Sequence, residues 1–423
     1  MALRLSGMPV RDSEGFARTA WILLDWAASA FSTVLITLVV AYVERAVFVD
    51  RVWGVSAGVV WAWTLAAAML VSAVLAPWVA AWADRTRGHK QALLTSVAAG
   101  AGGLLLLALV PSTARLAVAA SITAAAVGFD MAAIFTGSLL ARIAGGRDAD
   151  RLSAWGFAAG YAGGAIALIA ATAVVAAHDR LGLTASEGLR VAFALTAAWW
   201  LVFSLPAAFA RFGDGERERH AATSGGELLA FARSLARPTP DDDASQNLGG
   251  ILLGAVLVLG AVQTAIAQFS SVALEQFNLD GPALVRLVLL VQAVALPGAL
   301  AIGWLSSRYG RAWGLAISLA GWVTVLVLAC FIRTPTQLHA LAVLLAIVLG
   351  GVQSVIRATI ATLAPQGRAG VTFGLMQVGT KLTGFVASLA FGSVQALTND
   401  PRTGLTALLL QLLAGWWLLR RLR

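Results

Sequence analysis

Lysine, cysteine and histidine are nearly missing from this chain. Of 30 basic residues only Lys90 and Lys381 are lysine, and Cys330 is the single cysteine in 423 residues. One cysteine in an apolar run excludes an internal disulfide framework and a cysteine-based metal site. His89, His178, His220 and His339 are too scattered for zinc-ligand spacing, so no metal or other cofactor is expected. Charge is scarce altogether: 12% of residues are charged, against about 25% in a soluble domain. There is no Walker cradle, no HExxH and no Ser/His/Asp set, which argues against direct ATP coupling and against a membrane enzyme. The first 19 residues hold Arg4, Arg11, Asp12, Glu14 and Arg18 without an apolar core, so no cleavable signal peptide is expected.

What fills the chain is hydrocarbon. Hydrophobic residues make up 59% of it, and a membrane helix needs about 20 of them in a row to cross about 30 Å. Twelve such runs can be counted, from residues 20–42 to residues 403–419. The expected fold is therefore an all-α integral membrane protein of twelve transmembrane helices. The longest polar interval, residues 211–247, divides them six and six, giving a first half at 1–210, a cytoplasmic linker and a second half at 248–423. The net charge of +9 would suggest nucleic acid in a soluble protein. Here the arginines sit in short loops and the lipid bilayer explains them, so no nucleic-acid partner is expected. With the N-terminus inside, 20 of the 30 basic residues fall on the cytoplasmic side and 8 on the other. That asymmetry places both termini in the cytoplasm. The excess of arginine over lysine leans towards a GC-rich bacterium and its inner membrane.

The two halves echo each other. After the second run the chain reads VAAWADRTRGHK, and after the eighth AIGWLSSRYGRA; Asp84 pairs with Ser307 at an offset of 307 − 84 = 223 residues. Internal repeats of this kind mark secondary transporters.

Charged side chains inside the membrane cost on the order of 3 kcal/mol each, so each needs a reason. Asp25, Asp130, Arg357 and Lys381 stand out. At 100° per residue Asp25 shares a helical face with Ser29 and Ser32, Arg357 with Gln353, and Lys381 with Gln377, while the seventh run carries Gln268 in a polar stripe. Lys381 and Asp130 lie near the membrane midplane and come from opposite halves, so one pair can bridge them. Asp25 and Arg357 lie nearer the cytoplasmic surface, where Asp25 serves either as a proton site or in a gate. Gly156, Gly160 and Gly164 at four-residue spacing suit close helix packing. Most of the fifteen tryptophans are expected at interfaces or facing lipid.

The loop motifs carry a resemblance. ADRTRGHK is similar to the signature loop GxLxDRxGRR of the major facilitator superfamily, with Asp84, Arg85, Gly88 and Lys90 matching. In the second half Gly303, Leu305, Arg308, Gly310 and Arg311 match, and Ser307 stands where the family has an acid. The resemblance implies the two-half facilitator fold and a conformational latch built from Asp84, Arg85, Lys90, Arg308 and Arg311. DWAASAF (25–31) further resembles the helix 1 motif of the "Unknown Major Facilitator" branch, which includes autophagy-related vacuolar effluxers. GFAAGYAGG (156–164), LVQAVALPGAL (290–300), LGGVQSVIR (349–357) and FGLMQVGTK (373–381) are similar too. TGSLLARI (136–143) and Gly260, Ala261 and Val262 depart from the branch pattern, which marks a divergent member.

The reading is a secondary transporter working by alternating access around a midplane site. Its partners are protons and a small-molecule solute, polar or zwitterionic as the resemblance suggests, moved outward. Asp25, Asp130, Arg357, Lys381, Gln268, Gln353 and Gln377 are the candidate substrate or coupling residues. A multidrug exporter stays open as an alternative, and so does a non-transporting receptor, scaffold or scramblase on the same frame.

Overall fold

The computed structural model describes residues 10–48, 57–213, 243–277, 279, 281–398 and 401–420. Most of the 211–247 linker therefore lies outside the described residues. Twelve long helices run through the rest. They are α1 Val10–Val34, α2 Ala57–Thr86, α3 His89–Leu109, α4 Arg115–Ile143, α5 Gly146–Ala176 and α6 Ala185–Phe209. The second six are α7 Asp243–Phe277, α8 Gly281–Tyr309, α9 Arg311–Ala329, α10 Pro335–Leu363, α11 Ala369–Thr398 and α12 Pro401–Leu419. Among the described residues ten helices are long and apolar enough to cross a membrane, and Gly404–Leu419 is a shorter apolar helix. Apolar side chains face lipid without penalty, and backbone groups pair within each helix, which is why these runs fold as they do.

The helices are longer than the apolar runs that foretell them. α5 starts at Gly146 and has 31 residues, about 46 Å of helix against about 30 Å of hydrocarbon. Its first two turns carry Asp148 and Asp150, which hydropathy reads as loop. α1 also outruns its apolar stretch, but not as a regular α-helix. After Val34 it continues as two π-helical turns, Leu35–Val39 and Val43–Val47, around one α turn, Val40–Tyr42.

The end of the bundle where α1 starts also holds the α2–α3, α4–α5, α8–α9 and α10–α11 turns; we call it the basic end. α5 and α11 begin there at Gly146 and Ala369, with 369 − 146 giving the same 223-residue offset that pairs Asp84 with Ser307. Glycines let helices of the two halves meet at this end. A Cβ on Gly374 of α11 would come 2.9 Å from the Ala80 side chain of α2, and one on Gly303 of α8 would collide with Ala154 of α5.

α3 and α6 lie antiparallel and cap each other. Lys90, at the start of α3, donates to the carbonyls of Ala208 (3.1 Å) and Ala210 (3.2 Å) at the end of α6. Arg190, near the start of α6, donates to Ala108 and Leu109 at the end of α3, both at 2.6 Å. Each cation satisfies carbonyls that a helix C-terminus leaves unpaired. Trp21, Trp200 and Trp322 are exceptions to the tryptophan expectation and are among the largest fully buried side chains. Trp63, Trp78 and Trp313 do stand exposed on the apolar perimeter.

Candidate functional site

A cavity of about 520 Å³ lies between the first six and the last six helices. Asp25, Asp130, Gln353, Arg357, Gln377 and Lys381 all line it. Gln268 belongs to α7, but its side chain lies outside the described residues. The cavity extends from the Asp25 level, near the basic end, towards the opposite end, where Leu35, Ile36 and Phe269 line it.

The polar stripe of α1 faces the cavity because α5 gives it room. α1 and α5 run parallel, and a Cβ on Gly156 would collide with the Asp25 carboxylate. One on Gly160 would meet the Ser29 hydroxyl at 2.6 Å, and one on Gly164 the Thr33 hydroxyl at 2.6 Å. Two rows at four-residue spacing thus lie against each other, the packing that small residues allow in membranes. Asp25, Ser29 and Thr33 are the row the glycines serve, whereas Ser32 turns back to the Ser29 carbonyl at 3.2 Å.

At mid-depth Asp130 is 4% exposed and holds three donors. Ser72 of α2 reaches Oδ2 at 2.8 Å, Gln377 of α11 reaches Oδ1 at 3.1 Å, and Lys381 Nζ lies 2.8 Å from Oδ1. A buried carboxylate needs this many partners to stay charged. Ser72 escapes a reading based on charge, although a lone hydroxyl in the apolar run LVSAVLAP is a faint signal.

Nearer the basic end, Arg357 Nη1 and Nη2 meet Asp25 Oδ1 and Oδ2 at 3.0 and 2.7 Å. Its Nε donates to the Ser153 hydroxyl (3.0 Å) and its Nη2 to the Ser153 carbonyl (2.9 Å). The guanidinium is sandwiched between Trp21 and Phe157, 4.7 and 4.3 Å from their ring centroids, contacts that strengthen when desolvated. Ser153 in turn donates to the Ser354 carbonyl at 2.9 Å and so ties α5 to α10.

The latch residues separate into three groups. Asp84 accepts from the backbone N–H of Gly370 (3.0 Å) and Val371 (2.7 Å) at the start of α11, which carries the positive end of the helix dipole. Its side-chain neighbour is His89, at 2.9 Å, and not Arg85 or Lys90. Arg85 and Arg308 are exposed, and Lys90 serves α6 within its own half. Arg311 does bridge the halves, but its acid is Asp150 of α5 (2.8 Å), with the Gly146 carbonyl at 2.9 Å. The place of the missing acid at Ser307 is thus taken by the other half. Asp150, hidden in a segment that reads as loop, gave the sequence no reason to single it out.

Among the described residues three ion pairs therefore join the halves: Asp25–Arg357, Asp130–Lys381 and Asp150–Arg311. In each the acid comes from the first six helices and the base from the last six. One of the neutral cross-half contacts also lies on the cavity wall: Gln292 of α8 donates to the Thr33 hydroxyl of α1 at 2.8 Å.

Known proteins share this frame. An uncharacterized MFS-type transporter of Bacillus subtilis, YxiO, is 26% identical over 404 residues, covering 94% of this chain and 92% of that one. The Escherichia coli fucose:proton symporter FucP matches with a TM-score of 0.71 at 13% identity, over 97% of this chain and 99% of that one. A bacterial homologue of the iron transporter ferroportin, in an outward-facing state, matches with a TM-score of 0.66 at 16% identity, over 96% and 98%. The likeness to the solved structures concerns the fold. Residues 53–422 match the family described as vacuole effluxer Atg22-like, and the chain belongs to that family, within the major facilitator type of membrane transporter.

Proposed function

We propose that the protein is a secondary transporter that exports a small polar or zwitterionic, amino-acid-like solute by alternating access between two pseudo-repeated halves, coupled to protons. The observation that carries this reading is the polarity of the cavity, with carboxylates on one wall and cations on the other. A zwitterion fits between such walls with its ammonium towards Asp130 and its carboxylate towards Lys381, and leaves neither wall uncompensated. A lone ion of either sign leaves one buried charge without a partner, which costs several kcal/mol.

Proton coupling follows from the same atoms. A proton on Asp130 removes the charge that holds Lys381 and Gln377 and frees the ammonium for the solute's carboxylate. With the basic end in the cytoplasm of a bacterial cell, the ion pairs at that end close the inner side, and the structure is the outward-facing state. The ferroportin homologue's outward-facing state supports this orientation by likeness of fold.

The test uses proteoliposomes with a pH-sensitive dye inside and single amino acids or other small solutes added in turn. Wild type is expected to move protons with solute, and Lys381→Ala and Asp130→Asn to abolish that movement. Proton movement that survives both substitutions would discard the site; silence across a broad panel with folded protein would discard coupled transport.

A further inference from the structure

We propose that the Tyr161 hydroxyl determines which side chain the solute carries. It receives an uncharged hydrogen-bonding group, a hydroxyl or a carboxamide, across the cavity from the Asp130–Lys381 pair. The inference rests on the zwitterion reading and names the part of the solute which that reading leaves open.

The internal repeat gives the midplane pair a counterpart. α4 packs against α11, and α10 packs against α5. α4 and α10 both have 29 residues and both finish at the basic end, so their residues pair at an offset of 335 − 115 = 220. The counterpart of Asp130 is then Gly350. Each stands 13 residues before the last of its helix (143 − 130 and 363 − 350), and so at the same depth. Where the α4–α11 corner holds an acid and an amine, the α10–α5 corner holds Gly350 and the ring of Tyr161. A Cβ on Gly350 would lie 2.7 Å from that ring and 2.9 Å from its hydroxyl. The phenol has its place against α10 because residue 350 is glycine.

Packing does not account for the hydroxyl. Phe157, one turn nearer the basic end on the same helix, covers Arg357 with a bare ring. Tyr161 lines the cavity, and among the described residues its hydroxyl makes no hydrogen bond. Ser29, one turn beyond Asp25 and also on the cavity wall, has a hydroxyl in the same condition. The other polar groups of this corner are engaged. On α10 the Leu349 carbonyl accepts from the Gln353 side chain at 3.2 Å, and the Gln353 oxygen accepts from Gln263 at 3.4 Å. Asp25 and Arg357 hold each other. A tyrosine hydroxyl inside a protein ordinarily has a partner, and stripping it of solvent without one weakens binding. A hydroxyl both donates and accepts, so the groups that suit Tyr161 and Ser29 are those that do the same. An ionised side chain would find no counter-charge free at this corner, and an aliphatic one would desolvate the hydroxyls and return nothing. With its ammonium at Asp130 and its carboxylate at Lys381, the solute lays its side chain across the cavity to Tyr161.

The experiment measures binding to the full chain in lipid nanodiscs by titration calorimetry, with amino acids in near-isosteric pairs: threonine against valine, glutamine against methionine, and tyrosine against phenylalanine. Wild type is expected to bind the polar member of at least one pair about tenfold more tightly, the worth of one net hydrogen bond. Tyr161→Phe keeps the ring against Gly350 and should bring that ratio to near one, by weakening the polar member. A purely structural role would weaken both members alike, so the ratio is the readout, and melting curves of the two proteins show that the fold is kept. Equal affinities within every pair in wild type overturn the proposal and leave the zwitterion reading standing. So does a preference that survives Tyr161→Phe. Wild type that binds none of these amino acids overturns the zwitterion reading, and the proposal with it.

Discussion

Arg357 and Asp25 meet through two nitrogens and two oxygens, at 3.0 and 2.7 Å, although 332 residues of chain separate them. The pair joins α10 to α1 at the floor of the cavity, and Ser153, Trp21 and Phe157 leave the guanidinium no other direction to turn.

Removing one partner should therefore be worse than removing both. Arg357→Leu leaves Asp25 buried and uncompensated, a loss of about 3–5 kcal/mol for a buried pair. Asp25→Asn combined with Arg357→Leu should recover most of it. Thermal unfolding in detergent of the two single variants and the double variant tests this. Equal losses that simply add would mean that the pair is not coupled.

Ser153→Ala should loosen the same junction without removing charge. It deletes one hydrogen bond to a charged group and one to the Ser354 carbonyl, roughly 1.5–3 kcal/mol for the charged one. The basic end should then become more accessible to a water-soluble thiol reagent at Gln366→Cys, in a Cys330→Ser background. No change in labelling rate would remove Ser153 from the closure.

Lys90 and Arg190 make a structural clamp, and their loss should read in stability and not in solute movement. Lys90→Met is expected to lower stability by about 1 kcal/mol, the scale of a cation at a helix C-terminus. Solute-driven proton flux should be unchanged. Flux that collapses in folded Lys90→Met protein would return this residue to the latch that the loop motif suggested.

The glycine ladder predicts a contrast between two positions. A Cβ on Gly163 would collide with the Trp26 carbonyl, whereas one on Gly102 meets nothing within 4 Å. Gly163→Ala should therefore cost about 1–3 kcal/mol through overpacking. Gly102→Ala should be neutral or stabilising by up to about 1 kcal/mol through helix propensity. Side-by-side melting curves decide it, and equal effects would show that α1 and α5 tolerate a wider spacing.

Membrane burial and an all-helical fold were legible in the sequence, because about 20 apolar residues in a row have one cheap solution in a bilayer. Asp25, Asp130, Arg357 and Lys381 were legible for the same reason, as an intramembrane charge is too costly to be accidental. Which of them pair was decided by the tertiary structure, since the partners lie hundreds of residues apart and meet only when the helices pack. Asp150, Ser72 and Ser153 show the limit most clearly. Each is unremarkable along the chain and becomes important through one neighbour on another helix. Lys90 and Arg85 show the converse: a loop motif identifies residues by their order, while their roles depend on where each side chain points. The first-half and second-half polarity of the three ion pairs is likewise a property of the assembled cavity, because local periodicity carries the face of a helix but not the identity of what it faces.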